Sequence, residues 1–300
     1  MRAFLAFCAL ILLGLAGIAA LAYPAWLLLT PQFDFKFHRV ASRIGMLILL
    51  IGFVLVARRL GVADRASLGY GLPRRQFLRE SGLGLGLGVA TMLPIALAMI
   101  ALDLRTLRPG ITLDLATFAT LAIKGLTSGI AVGLIEETFL RGAMHTSIAR
   151  ESGARIAVLL TALVYSATHF IGKYRIPADQ LNAGSGIDLL SGSLAAFADP
   201  LQIADAFLCL FAVGVLLGTV RVMTGNIAAC IGLHAGWVWV ITFFRETSAP
   251  DETSALRFLL SRFDGVVGWM VLGWTLVIGA VLYRFYAGRQ AARSTASLPR

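Results

Sequence analysis

The sequence predicts an all-α fold, a polytopic membrane helix bundle of about eight transmembrane helices. Three observations carry that expectation. Of the 300 residues, 58% are hydrophobic and 14% charged, where soluble domains carry about 25% charged residues, and mean hydropathy is +0.82. Apolar runs recur at close to the ~20 residues that a membrane-spanning helix needs. The runs are also too long and uniform for barrel strands, so their backbone groups must be satisfied within helices.

The first run, 3–23, follows Arg2 and ends in Ala20-Leu21-Ala22. A cleavable signal peptide shares that pattern, but in a polytopic chain it reads as an uncleaved first span. The second run is 41–57 and the third 82–102. The third opens with "SGLGLGLGV" (81–89), whose glycines resemble a phosphate loop but begin a span. Gly82/Gly86 and Gly84/Gly88 have the small-xxx-small spacing of close helix packing. Runs at 117–137, 154–171, 202–220, 227–244 and 266–283 complete the set, and the tail from Ala287 to Arg300 is polar and expected to fray. No internal repeat or low-complexity linker interrupts the chain. The expected organisation is N-terminal spans over 1–115, a functional helix core over 116–246, and a last span with tail over 247–300. The loop at 172–200, with Lys173 and Arg175, reads as a lid or a connector.

Basic residues set the orientation. Arg2, the arginines from Arg58 to Arg79, Arg141, Arg150, Arg155, Arg221 and those from Arg284 onward fall on one side, while most of the acids fall on the other. The positive-inside bias then places both ends in the cytoplasm. The net charge of +10 is accounted for by that bias and by anionic lipid head groups, so the bilayer is the expected partner and nucleic acid is not. Cys8, Cys209 and Cys230 lie singly inside apolar runs and read as packing residues, without a disulfide or a thiolate metal site.

The polar groups inside the runs point to function, because ionisable side chains near hydrocarbon are expensive to keep. In "LIEETFLRGAMH" (134–145), Glu137 and Arg141 are four apart and can pair on one helix face. Glu136 points about 100° away, free to face something else, and a carboxylate in apolar surroundings suits proton exchange with water. His38 is assigned to an external loop and His145 to an interfacial or supporting place. His169, one turn after Tyr165, and His234 lie inside two further runs. Two histidines beside an unpaired glutamate can hold and activate one water.

These residues carry a resemblance. Glu136-Glu137-x-x-x-Arg141, then Tyr165-x-x-x-His169, then His234 with Trp237, over roughly 117–244, resemble the CPBP (Abi) family of CAAX prenyl proteases and bacteriocin-processing enzymes. The resemblance implies an intramembrane endopeptidase in a bacterial inner membrane, acting on membrane-associated protein or peptide substrates without cofactor or metal. Glu136 and His169 would activate the water, His234 would stabilise the oxyanion and Arg141 would orient Glu137. The chain departs from the family pattern at Tyr165, where phenylalanine is usual, and at Val238, where an asparagine donor is usual; Asn226 is no obvious substitute. Water is expected to enter from the cytoplasmic face. Two rival readings remain open: a metalloprotease with His169, His234 and a glutamate as ligands, and a silent scaffold or immunity-type protein whose polar groups only pair helices. The scaffold reading predicts that Glu136, His169 and His234 do not converge.

Overall fold

A computed structural model describes residues 1–171 and 174–296; Lys173 of the expected lid or connector and the last four residues of the tail fall outside them. The long helices are α1 (Arg2–Leu29), α2 (Phe37–Arg59), α3 (Arg74–Ala101), α4 (Leu115–Glu137), α8 (Pro200–Thr224), α9 (Ala228–Thr247) and α10 (Trp269–Ala296). Shorter helices are α5 (His145–Ser152), α6 (Ala154–Thr168) and α7 (Ser185–Leu194). The chain is an all-α membrane bundle, with one small antiparallel pair, β1 (Arg105–Leu107) and β2 (Ser248–Pro250).

The chain reverses direction at each long helix. One face gathers the N-terminal ammonium on Glu151 (2.5 Å), Arg150 on the Gly61 carbonyl (2.9 Å), Ile227 N–H on the Gly69 carbonyl (3.1 Å) and Arg289 on Glu80 (2.9 Å). This is the basic face. The other gathers the β1–β2 pair, Arg108 N–H on the Thr247 carbonyl (2.9 Å) and Ser261 on Asp205 (3.0 Å). Arg105 is buried there, donating to Ser248 and to the Gly265 carbonyl. Desolvation pulls its pKa down to about 10.

Seven helices among the described residues are long and apolar enough to span a bilayer. The fifth expected run, 154–171, differs. α6 has only 15 residues, about 22 Å at 1.5 Å per residue, against ~30 Å of hydrocarbon. Gly153, at φ +85°, turns the chain in a conformation that favours glycine just before α6, which starts where expected but stops before His169. Its fourth-run neighbour is longer than expected. From Asp114, whose Oδ1 accepts the Thr117 N–H (2.8 Å) as an N-cap, the helix runs on through a π-helical stretch, Thr138–Met144, and α5, so that Leu115–Ser152 is one span of 38 residues. His38 lies in the first turn of α2, not in a loop.

Helix α9 is held from two sides at backbone distance. A Cβ at Gly232 would stand 2.1 Å from the Ser81 carbonyl oxygen on α3, and one at Gly84 would stand 2.6 Å from that of Ala229. On the other side, a Cβ at Gly129 of α4 would lie 2.4 Å from the Ala235 oxygen. Of the two expected glycine pairs, only Gly84/Gly88 packs, since Gly82 and Gly86 face open space. One helix face can meet α9 and the other cannot. Gly84→Ala is therefore expected to cost about 1–3 kcal/mol by overpacking, while Gly86→Ala is neutral or slightly stabilising. Thermal midpoints of the detergent-solubilised variants separate the two.

Candidate active site

The two glutamates have separate surroundings. Glu137 and Arg141 are fully buried, and Glu137 Oε1 accepts from Arg141 Nη1 (2.8 Å) and from His234 Nδ1 (2.8 Å). Arg141 Nη2 continues to the Gly214 carbonyl on α8 (3.1 Å), and its guanidinium lies over the Tyr165 ring, 4.9 Å from the centroid. The Arg141 carbonyl, inside the π-helical stretch, accepts from Arg221 Nε (3.1 Å). A π-turn frees backbone groups from the ordinary ladder and is common at functional sites; here Arg221 takes up one of them.

Glu136 is one-third exposed, and its Oε2 stands 4.0 Å from His234 Nε2 with no hydrogen-bond partner of its own. The His234 ring therefore bridges the carboxylates, Nδ1 to Glu137 and Nε2 towards Glu136. His169, just past the end of α6, has Nδ1 2.7 Å from the Tyr165 carbonyl. A carbonyl only accepts, so Nδ1 carries the proton and Nε2 is the free nitrogen. The Tyr165 ring lies between the imidazoles, 4.4 Å from His169 and 5.9 Å from His234 between centroids.

Depth is reconciled by the altered helix lengths. Glu136 is sixteen residues from Ser152 and His169 is sixteen from Gly153, about 24 Å of helix each at the α-helical rise. The two therefore stand level above the same turn, because α4 continues past Glu137 and α6 is short. The sequence places Glu136 at a helix end only if the fourth run stops where its apolar residues do.

The remaining expected residues are placed as follows. Val238 is one turn beyond His234 on α9 and part-exposed. Asn226 is spent on the α8–α9 turn, accepting from Ala228 N–H (2.9 Å) and donating to the Thr224 carbonyl (2.9 Å). His145 is buried among helices and not interfacial. Trp237 donates to Thr91 Oγ1 (3.0 Å), and Trp274 donates to the Thr91 carbonyl (2.7 Å), tying the turn after His234 to α3 and α10. Sequence reasoning missed Thr91 and the supporting role of Arg221; the signal for Arg221 was an arginine in the last turn of an apolar helix, read only as topology. Among the described residues, no group of three or more His, Cys, Asp or Glu side chains is placed to share a metal ion. An apolar groove of about 520 Å³ between α8 and α10, lined by Phe211, Val215, Leu276 and Tyr283 among others, includes none of these residues.

Residues 118–240 match the family model described as Rce1-like, type II CAAX prenyl endopeptidase Rce1-like. Over those residues the chain is similar to that family. The match includes the segment holding Glu136, Glu137, Arg141, Tyr165, His169 and His234. Neither the curated proteins nor the solved structures yield a match. The Rce1-like family is a family of proteases, and the seven long apolar helices make this protein an integral membrane protein.

Removing one partner of a buried ion pair strands the other and costs about 3–5 kcal/mol. Glu137→Ala and Arg141→Leu are thus expected to lose most folded protein in a detergent stability assay. Glu136→Gln, which breaks no hydrogen bond, is expected to melt like the native chain.

Proposed function

We propose that the protein is an intramembrane endopeptidase in which Glu136 and His169 activate a water for attack on a peptide carbonyl of a membrane-associated substrate. The observation that supports this reading most directly is the unpartnered, part-exposed Glu136 carboxylate facing His234 Nε2, with His169 one aromatic ring away. Ion pairing between helices accounts for Glu137 and Arg141 but not for this second carboxylate. Glu137 Oε2 and Arg141 Nε are also buried without partners, but of the two acids only Glu136 is part-exposed and outside the ion pair.

The roles follow from the proton positions. Water held between Glu136 and His169 Nε2 loses a proton to the carboxylate as it attacks the carbonyl carbon. His234 serves the developing oxyanion with Nε2 when that nitrogen carries a proton. The protonated Glu136 returns its proton to the leaving amine. Arg141 and Glu137 act through His234, as positioning residues. The substrate of this reading is a protein or peptide already at the bilayer.

Family members can be inactive, and Val238 is the specific observation that favours a weakened enzyme, since a valine side chain donates no hydrogen bond. If the oxyanion site lacks that donor, Val238→Asn raises kcat by about 10²–10³, the loss seen when one such donor is removed. An unchanged rate would mean that another donor already fills the place.

The decisive experiment compares new protein termini in membranes from cells carrying the native chain or Glu136→Ala at equal abundance. Termini dependent on Glu136 are expected, and on purified substrate kcat should fall by about 10²–10⁴ while chelators leave it unchanged. Identical termini from both strains would make the chain a silent relative.

A further inference from the structure

Exposure changes sharply at the level of Glu136. Towards the basic face the surroundings are sealed: Glu137, Arg141 and His145 on one helix, Thr161, Tyr165 and Ser166 on α6, and α9 without a break from Ala228 to Trp237 are all buried. Towards the other face, residues 238–243 of α9 are part-exposed throughout, as are Val132 and Ser128 on α4, one and two turns from Glu136. Packing explains the difference. α4 rests on α9, and on the sealed side α6 rests on α8; α6 ends at Thr168, level with the site, so the other side lacks that helix as a wall.

One stripe of α4 leads through this opening. Gly125, Gly129 and Gly133 pack on α9, and residues at four-residue spacing share a face. The neighbouring stripe is Lys124, Ser128, Val132 and Glu136. At its outer end Lys124 pairs with Glu246 at 2.5 Å, both side chains about half exposed. The site itself stands about 24 Å above the turn at Gly153, so most of the ~30 Å hydrocarbon thickness lies on its sealed side.

From these observations we infer that water and substrate reach Glu136 from the face opposite the basic one. This reverses the cytoplasmic entry expected from sequence. With the arginine-rich face in the cytoplasm, the substrate is a peptide segment at the extracytoplasmic boundary of the bilayer, belonging to an exported or membrane-anchored protein. The segment enters extended, because a helix keeps its carbonyls bonded internally. The direction of access rests on burial and charge. The identity of the occupant rests on the peptidase reading.

Cysteine accessibility tests the direction without requiring activity. Ser128→Cys and Val132→Cys are treated with a membrane-impermeant thiol reagent in intact cells and in inverted vesicles. Arg65→Cys marks the basic face, Glu252→Cys the other, and the native chain is the blank for Cys8, Cys209 and Cys230. Ser128→Cys is expected to label wherever Glu252→Cys labels and to be silent where only Arg65→Cys labels. Intact cells are expected to label Glu252→Cys. Labelling from the Arg65 side overturns the inference, as does labelling of neither test cysteine in folded protein. Labelling of Arg65→Cys in intact cells overturns the extracytoplasmic assignment. Glu136→Ala should leave labelling unchanged, so a protein that labels as expected but yields no Glu136-dependent termini fails as a peptidase while its access route stands.

Discussion

The site depends on one buried charge arrangement: the Glu137 carboxylate shared by Arg141 and His234. Burying an isolated carboxylate is prohibitive, and only pairing with satisfied geometry makes it tolerable. Arg141 supplies that pairing and is itself committed to the Gly214 carbonyl and the Tyr165 ring. Through these contacts the arginine joins the fourth span, α6, α8 and α9 at one point. The orientation of His234, and hence the nitrogen presented to Glu136, is a result of that junction.

Around it the architecture divides labour. Glycine seams fix α9 against α3 and α4 with backbone in contact, which sets the height and rotation of His234 with little slack. The π-helical stretch allows Glu137 and Arg141 to face inward while α5 continues to the basic face. Arg221 occupies a carbonyl of that stretch. Rigid backbone packing on one side and the Glu137–Arg141–His234 bonds on the other leave Glu136 as the acid without a hydrogen bond of its own.

Much of this was legible in the chain. Span locations follow from hydropathy, and the Glu137–Arg141 pair follows from four-residue spacing alone. The division between a committed and a free glutamate follows from their angle on the helix. What could not be read was length. The stretch 138–152 carries Arg141, His145 and Arg150, so composition ends the helix where the buried polar cluster only interrupts the apolar pattern. Conversely, "LVYSATHF" looks like continuous helix although the backbone stops at Thr168. Both errors have one cause: hydropathy measures preference for lipid, and at a functional site helices face protein instead. The glycine-rich third run failed differently, because spacing marks a close-packing face but does not say which of two adjacent faces has a partner.

The short α6 has a consequence for the lipid beside it. A 15-residue helix next to a span of 38 residues cannot match the same hydrocarbon slab, and mismatch is relieved by tilting long segments and thinning the bilayer around short ones. A bilayer that met α6 alone would have to thin to match it. Each ångström of such strain carries a fraction of a kcal/mol. Such thinning would bring headgroups, with their water, closer to the level of Glu136 and His169.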